Sequence, residues 1–527
     1  MHLSPFKRKS TIATTVLQTK EITLLSRQGK LNDALNLFDQ MPNKNQVTWN
    51  ATLSALLAAG QFTHALKLFD EMPKKNATSY STMIAGLSRS GAVFKAREIF
   101  DSVPISKRNV FSWTAMMCCY VQNAHPMPAL NLFRHQFGKS GIWPNAHTFS
   151  VLIKACGLMQ CGSIMRQIHC LSVKLLDLQR NDVIFVENGL INVYAKLGDL
   201  GDAERVFSCM KDKDLATMNT MMDAYAFHLV IDKALDIFYS IEKKDALSWN
   251  IVMSGLLDCR RGEEALKLFL WLMRSEVDLK PNSSTYTIVL SLCATLAMIE
   301  FGRQIHASVV KIGFYVSNIF VCNSLMTMYA RFGLTKELEQ VFDEMLVKDV
   351  ISWNSVIQGL GQNGCARKAL EIAEITLNSK IYNHNTFIAI LTCCSHGGFI
   401  DEGMQYFNSM GQKYGIEPTS DHYVCILDML ARAGKLQEAH EFLQEKGLES
   451  NSVAWETLLS ACLVHGSSEI GEIAAKNIQN LEPNNVRSYL TMANAYSRTG
   501  RAEESRRVLD LMRNKDLRKN SARSWII

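Results

Sequence analysis

One spacing governs this chain. Ala is followed four residues later by Phe at Ala34/Phe38, Ala65/Phe69 and Ala96/Phe100, and again at Ala203/Phe207, Ala234/Phe238 and Ala265/Phe269. Within each triplet the step is 31 residues. Ala129/Phe133 stands between the triplets at longer steps, Leu338 takes the Ala place before Phe342, and Ala373 takes the Phe place after Ala369. A separation of four puts both side chains on one helix face. The small Ala lets a neighbouring helix approach, and the Phe fills the space beside it.

A second helix is needed to complete each block. Trp49, Trp113, Trp249 and Trp353 are each followed at once by Asn or Thr, and from there apolar residues recur at three- and four-residue intervals for about a dozen positions. Gly then interrupts the pattern at Gly29, Gly60, Gly91, Gly198 and Gly434, before the helix with the Ala/Phe pair. That helix closes in "FDQMPNKN", "FDEMPKKN" or "FDEMLVKD", where Pro or basic residues stop it. With the aromatic fourth, blocks begin at Thr15, Gln46, Ala77, Val110, Ala146, Ile184, Leu215, Ala246, Ser283, Ile319, Val350, His384 and Ser420. A helical hairpin this short cannot bury its apolar face alone, whereas stacked hairpins share a continuous core. The pattern predicts an all-α fold, a right-handed α-solenoid of about thirteen stacked helix-turn-helix repeats over residues 15–451.

Composition narrows the class further. No apolar run approaches the ~18 residues that cross a bilayer, so membrane insertion is not expected. The fourteen cysteines sit in apolar helical stretches without a Cys-x-x-Cys pair, as expected of small apolar fillers in a reduced interior. A net charge of +6 suits an anionic partner. The opening stretch "MHLSPFKRKSTIATTVLQTK" has basic and hydroxylated residues and one acid-free run, the bias of an organelle-targeting segment, assigned to residues 1–14.

The blocks resemble the pentatricopeptide repeat family, and within it the plant subclass that alternates ordinary, long and short repeats. "FVENGLINVYAKLGDLGDAERVF", "GRQIHASVVKIGF", "SHGGFIDEGMQYFNSM" and "HYVCILDMLARAGKLQEA" carry the resemblance, which spans roughly residues 15–527. Residues 452–527, with "AWETLLSACLVHGSSEIGEIAAKNIQNLEPNN" and "SARSWII", resemble the helical, tetratricopeptide-like extension motifs that follow the last repeat. Many relatives continue into a DYW-type cytidine deaminase, and this sequence stops at Ile527.

The resemblance implies that each repeat faces one RNA base and reads it with two residues, the polar residue after the aromatic and the residue closing the repeat. The implied pairs are Thr19/Asn45, Asn50/Asn76, Ser81/Asn109, Thr114/Asn145, Asn188/Asp214, Asn219/Asp245, Asn250/Asn282, Thr287/Asn318, Asn323/Asp349 and Asn354/Asn383. Ser150/Val183, Ile388/Thr419 and Val424 are expected to specify nothing. The family's code then implies a target of the form 5′-A-Y-A-A-N-U-U-Y-(A)-U-Y-N-N, with Y a pyrimidine. Val47, Phe111, Phe185, Leu247, Phe320 and Ile351, second in their blocks, are implied to sandwich the bases. Asn or Asp after a basic turn also suits helix capping, and an apolar second residue also suits a core.

No catalytic group, metal site or cofactor is expected. The His-x-Glu and Pro-Cys-x-x-Cys elements of zinc deaminases are missing, and His396 and His465 read as structural. "GLGQNG" lacks the Gly-Lys-Ser/Thr end of a phosphate loop. The resemblance implies a site-recognition factor for C-to-U editing of organellar transcripts, binding single-stranded RNA and recruiting a DYW-type deaminase in trans with editing accessory factors. The mitochondrion is the expected compartment, with the chloroplast as the alternative. A splicing, processing or stabilisation factor is the alternative function. A peptide-binding scaffold is disfavoured, since the uniform 34-residue block and Trp-x-x-Leu-Gly phrase of tetratricopeptide repeats are missing.

Overall fold

Helix starts follow the repeat frame. In the computed structural model, first helices begin at Gln46, Ala77, Val110, Ala146, Ile184, Leu215, Ala246, Ser283, Ile319, Val350, His384 and Ser420, the positions that open the blocks. The structure describes residues 5–104, 108–139, 141–176, 183–274, 280–315, 317–483, 486–498 and 501–514. The start of the assigned targeting segment and the closing "SARSWII" lie outside the described residues. One helix departs from the frame: the first block's helix is Pro5–Arg27 and begins ahead of Thr15. Nothing between them breaks a helix, and proline is preorganised for a first helical turn.

The later first helices run 13 or 14 residues, as in Gln46–Ala58 and Ala146–Met159. Second helices sort by repeat type. They have ten residues in Leu31–Gln40, Phe62–Glu71 and Thr335–Glu344, and 14 or 15 in Gly162–Leu175, Ile299–Ile312 and Ile400–Tyr414. The turn inside a hairpin needs a left-handed residue. Gly60 takes it at φ +74°, and Leu229 holds the same place at φ +59°, a conformation that strains a side chain.

The contacts divide into two units, residues 1–260 and 261–527. In the first, Gln46–Ala58 stacks on Ala77–Arg89, and that on Val110–Gln122, with the second helices in another layer. Phe62–Glu71, for example, lies against both Gln46–Ala58 and Ala77–Arg89. In the second unit, Ser283–Thr295, Ile319–Arg331, Val350–Gln362, His384–Gly397, Ser420–Arg432 and Ser452–His465 stack in the same chain order. Among the described residues there is no strand. Each unit is an all-α solenoid, as the spacing predicts.

The Ala/Phe ruler is the core of each hairpin. Ala34, Ala65, Ala96, Ala203, Ala234 and Ala265 have no exposed surface, and Phe100 and Phe238 are also fully buried. The block aromatic meets the preceding Phe edge to face: Phe38–Trp49, Phe100–Trp113, Phe238–Trp249 and Phe342–Trp353 have centroids 4.9–5.1 Å apart. Such a pair contributes about 0.5–1.5 kcal/mol beyond its area. This contact sits one residue before the polar fifth position and fixes the helix turn that carries it.

Candidate nucleic-acid interface

The residue that closes each repeat caps the next first helix. Oδ1 of Asn45, Asn76, Asn109, Asn145, Asp214, Asp245, Asn282, Asp349 and Asn383 accepts from the backbone N–H three residues on, at 2.7–3.1 Å. Asn318 does the same to Val321 N at 3.2 Å. Capping therefore holds for all ten closing residues, and it uses one terminal atom of each. The other terminal atom, Nδ2 in Asn and Oδ2 in Asp, is not used by the cap, and Asn76 Nδ2 donates to Gln46 Oε1 at 3.2 Å.

The fifth-position residues lie a full turn inside the helix and are not caps. Several reach their implied partners directly. Asn219 Nδ2 donates to Asp245 Oδ1 at 3.2 Å, Asn323 Nδ2 to Asp349 Oδ1 at 3.4 Å, Asn354 Nδ2 to Asn383 Oδ1 at 3.4 Å and Asn50 Nδ2 to Asn76 Oδ1 at 3.5 Å. Thr19 and Thr114 reach theirs through a shared hydroxyl: Thr19 Oγ1 is 2.8 Å from Thr48 Oγ1, and Thr114 Oγ1 is 2.9 Å from Thr148 Oγ1. Ser81 and Thr287 turn back to their own helix, donating to the carbonyls of Ala77 and Ser283. No hydrogen bond joins Asn188 to Asp214 among the described residues. Asn250 belongs to the first unit and Asn282 to the second.

The second residues of the blocks are not core. Val47, Phe111, Phe185, Leu247, Phe320 and Ile351 are between 38% and 71% exposed, each next to the turn that carries a closing residue. Large apolar side chains thus recur at the surface at one register within each unit, and such exposed faces suit flat ligands.

Electrostatics keep Asp245 and Asp349 ionised. Burial pushes the Asp245 carboxyl up, but hydrogen bonds from Ser248 and Asn219 outweigh it, so its pKa lies below the ordinary value. Asp349 behaves alike, with Ser352 and Asn323 as donors. Both are acceptors at neutral pH. The fifth-position amides carry a cost: Oδ1 of Asn50, Asn188, Asn323 and Asn354 is buried without a partner, at about 1–3 kcal/mol each.

One recurring group escaped the sequence reading. A Ser or Thr stands three residues after nine of the ten closing residues, buried and hydrogen-bonded to Oδ1, as in Ser248 to Asp245 at 2.7 Å. The repeated Asn/Asp-x-x-Ser/Thr phrase, a capping signature, would have found it. The basic residue before a closing residue stops the second helix, as the sequence predicts. Lys44, Lys213, Lys244 and Lys348 place Nζ about 5 Å from the centroids of Phe38, Phe207, Phe238 and Phe342 and donate to the carbonyls of Met41, Met210, Ile241 and Met345. These lysines close second helices.

Comparisons with known proteins agree with this architecture. The model of the PPR repeat family matches residues 44–89, 108–157 and 244–295, and the PPR repeat matches eight further segments between residues 22 and 445. The E motif matches residues 465–527. The pentatricopeptide repeat-containing protein At1g17630 of Arabidopsis thaliana is 31% identical over 96% of this chain and 65% of its own length. The chloroplastic protein At3g57430 of the same plant is 34% identical over 80% of this chain and 44% of its own, and At3g15130 is 30% identical over 80% of this chain and 71% of its own. The chain thus spans less than two thirds of the length of the first two. The crystal structure of the pentatricopeptide repeat protein PPR10 in complex with an 18-nt psaJ RNA element superposes with a TM-score of 0.53 at 18% identity, covering 95% of this chain and 85% of that one. The ten capped closing residues, the buried Ala/Phe pairs and these matches place the chain in the pentatricopeptide repeat family, with an E motif at its C-terminal end.

Proposed function

We propose that this protein binds single-stranded RNA by sequence and selects sites for C-to-U editing in organellar transcripts. One observation carries the RNA reading: paired polar residues recur at one register of successive hairpins, next to exposed apolar side chains, and each closing residue has one terminal atom left by its cap. The capped Oδ1 makes the outward chemistry readable. An Asn then offers Nδ2, a donor that suits the ring-nitrogen acceptor of adenine or cytosine. An Asp offers Oδ2, an acceptor that suits the ring N–H of uracil or guanine. The implied A at Thr19/Asn45, Ser81/Asn109 and Thr114/Asn145 and U at Asn188/Asp214, Asn219/Asp245 and Asn323/Asp349 follow this rule, and at Asn50/Asn76 and Asn354/Asn383, where a pyrimidine is implied, the rule favours cytosine. Recurrence of the orphaned amide carbonyls at one register supports a functional reason for keeping polar groups there. PPR10, a relative in fold, is itself seen with an RNA element.

The E motif at residues 465–527 supports the editing role, with a DYW-type deaminase supplied in trans. Relatives described as chloroplastic and as mitochondrial support an organelle, and the basic, acid-free opening favours the mitochondrion. The test is sequencing of organellar transcripts from a loss-of-function line against its parent. Loss of editing at one or a few cytidines just 3′ of the deduced series is the expected result. Intact editing with an unspliced, truncated or missing transcript would move the protein to the processing and stability class.

A further inference from the structure

We propose that the buried hydroxyl three residues after each closing residue is a positioning group for base selection, and that its absence at Val321 leaves the Thr287/Asn318 pair without a fixed preference. The inference rests on the base-reading proposal above. Thr48, Ser79, Thr148, Thr217, Ser248 and Ser352 have no exposed surface, and each hydroxyl donates to Oδ1 of its closing residue at 2.7–3.0 Å. A cap needs one acceptor for one backbone N–H. These sites aim two donors, the backbone N–H and the hydroxyl, at the same atom.

Two converging donors settle which end of an amide faces inward. Asn has one acceptor atom and one donor group. If Asn145 turned over, its NH2 would meet Thr148 N–H and the Thr148 hydroxyl, leaving a buried backbone donor unpaired. Oδ1 is therefore held inward and Nδ2 is presented as the donor. The same hydroxyl also ties in the fifth residue. Thr148 Oγ1 lies 2.9 Å from both Thr114 Oγ1 and Asn145 Oδ1, and Ser248 Oγ lies 2.8 Å from Asn219 Oδ1 and 2.7 Å from Asp245 Oδ1. One buried atom thus sets the relative geometry of both members of a pair.

Asn318 shows what is lost without it. Its third residue is Val321, fully buried, and only the Val321 N–H reaches Oδ1, at 3.2 Å. Its backbone sits at ψ 103°, where the hydroxyl-anchored closing residues lie within about 10° of ±180°. The side chain has one tether in place of two and starts from a different backbone direction.

The test uses the full-chain protein and labelled single-stranded RNAs that carry the deduced series and differ at one base. At the base facing Thr114/Asn145, the wild type should prefer A over G by about tenfold or more. Thr148→Val should bring that ratio close to unity, leave base preference at Asn219/Asp245 unchanged, and be rescued by Thr148→Ser. Val321→Thr, which keeps the volume and adds the missing hydroxyl, should create an A-over-G preference at the base facing Thr287/Asn318. A Thr148→Val protein that melts earlier yet keeps its A-over-G ratio, or a Val321→Thr protein with no gain, would overturn the positioning role while leaving RNA reading intact. A wild type that does not distinguish A from G at any such pair would overturn the base-reading proposal itself.

Discussion

Asn219 and Asp245 stand 26 positions apart in sequence, yet Nδ2 of the first donates to Oδ1 of the second at 3.2 Å. Asn219 is 3% exposed, and its own Oδ1 lies 2.8 Å from Ser248 Oγ. The pair is a preformed unit built by stacking one hairpin on the next, so a ligand docking on it would immobilise little further side-chain entropy.

Asp245→Asn should change what the unit selects without unfolding it. Asn and Asp are comparable caps, so the helix Ala246–Asp258 keeps its start and the melting temperature stays close to that of the wild type. The outward atom changes from an acceptor to a donor. Competition binding with RNAs that differ at the facing base should show preference moving from U to C by about tenfold. Unchanged preference for U would sink the outward-atom rule.

Phe320 separates binding from stability. It is 71% exposed, so Phe320→Ala removes almost no core. As a platform for bases it would contribute about 1–3 kcal/mol of stacking. The expected result is RNA affinity weakened by about tenfold, with an unchanged denaturant midpoint. A lowered midpoint with intact affinity would return Phe320 to a purely structural role.

The sequence made the hairpins legible because their register depends on local spacing. Ala34/Phe38 and its copies report a helix face, and the frame built on Trp49 and Tyr80 predicts helix starts at Gln46 and Ala77, where they occur. The interface was legible only in part. Val47 and Phe111 fit a buried face or an exposed platform equally well by pattern, and only the stacked neighbours decide that they are exposed. The basic residues were likewise open, because Lys75 or Lys348 beside a closing residue could face RNA or a helix end. The choice is made by Phe69 and Phe342, which lie under them in the folded hairpin.

Lys348 tests that choice. Its Nζ is 5.0 Å from the Phe342 ring centroid and donates to the Met345 carbonyl at 2.9 Å. A cation over an aromatic ring at a partly exposed site contributes about 0.5–1 kcal/mol. Lys348→Ala should lower stability by about that amount, read by urea unfolding. A lysine held at a helix end makes no phosphate contact, so the slope of log affinity against log salt should stay unchanged. A slope reduced by about 0.7, the single-strand value for one lost phosphate contact, would reassign Lys348 to the RNA.

His422 gives the fold a pH dependence. It occupies the third position of its helix, where other repeats carry a hydroxyl, and is fully buried. Nδ1 accepts from Thr419 N–H at 3.1 Å and pairs with Thr419 Oγ1 at 2.8 Å, while Nε2–H donates to the His384 carbonyl at 3.0 Å. A protonated ring could not accept at Nδ1. Burial, and then the charge of His384, hold its pKa below the ordinary value, against the opposing pull of the His384 carbonyl and Asp421. The unfolded chain takes up this proton near pH ~6.5, and the folded chain only at lower pH. Below about 6.5 the unfolded state therefore binds more protons, and stability falls as pH drops until the folded pKa is reached. Burial lowers the pKa of His169, His306 and His396 too, so they add to the loss with the same sign. The melting temperature should hold steady above about pH 7 and fall below about 6. His422→Thr, which restores a hydroxyl at the third position, should flatten part of that fall, and an identical pH slope in the variant would show that His422 takes up its proton equally in the folded and unfolded states.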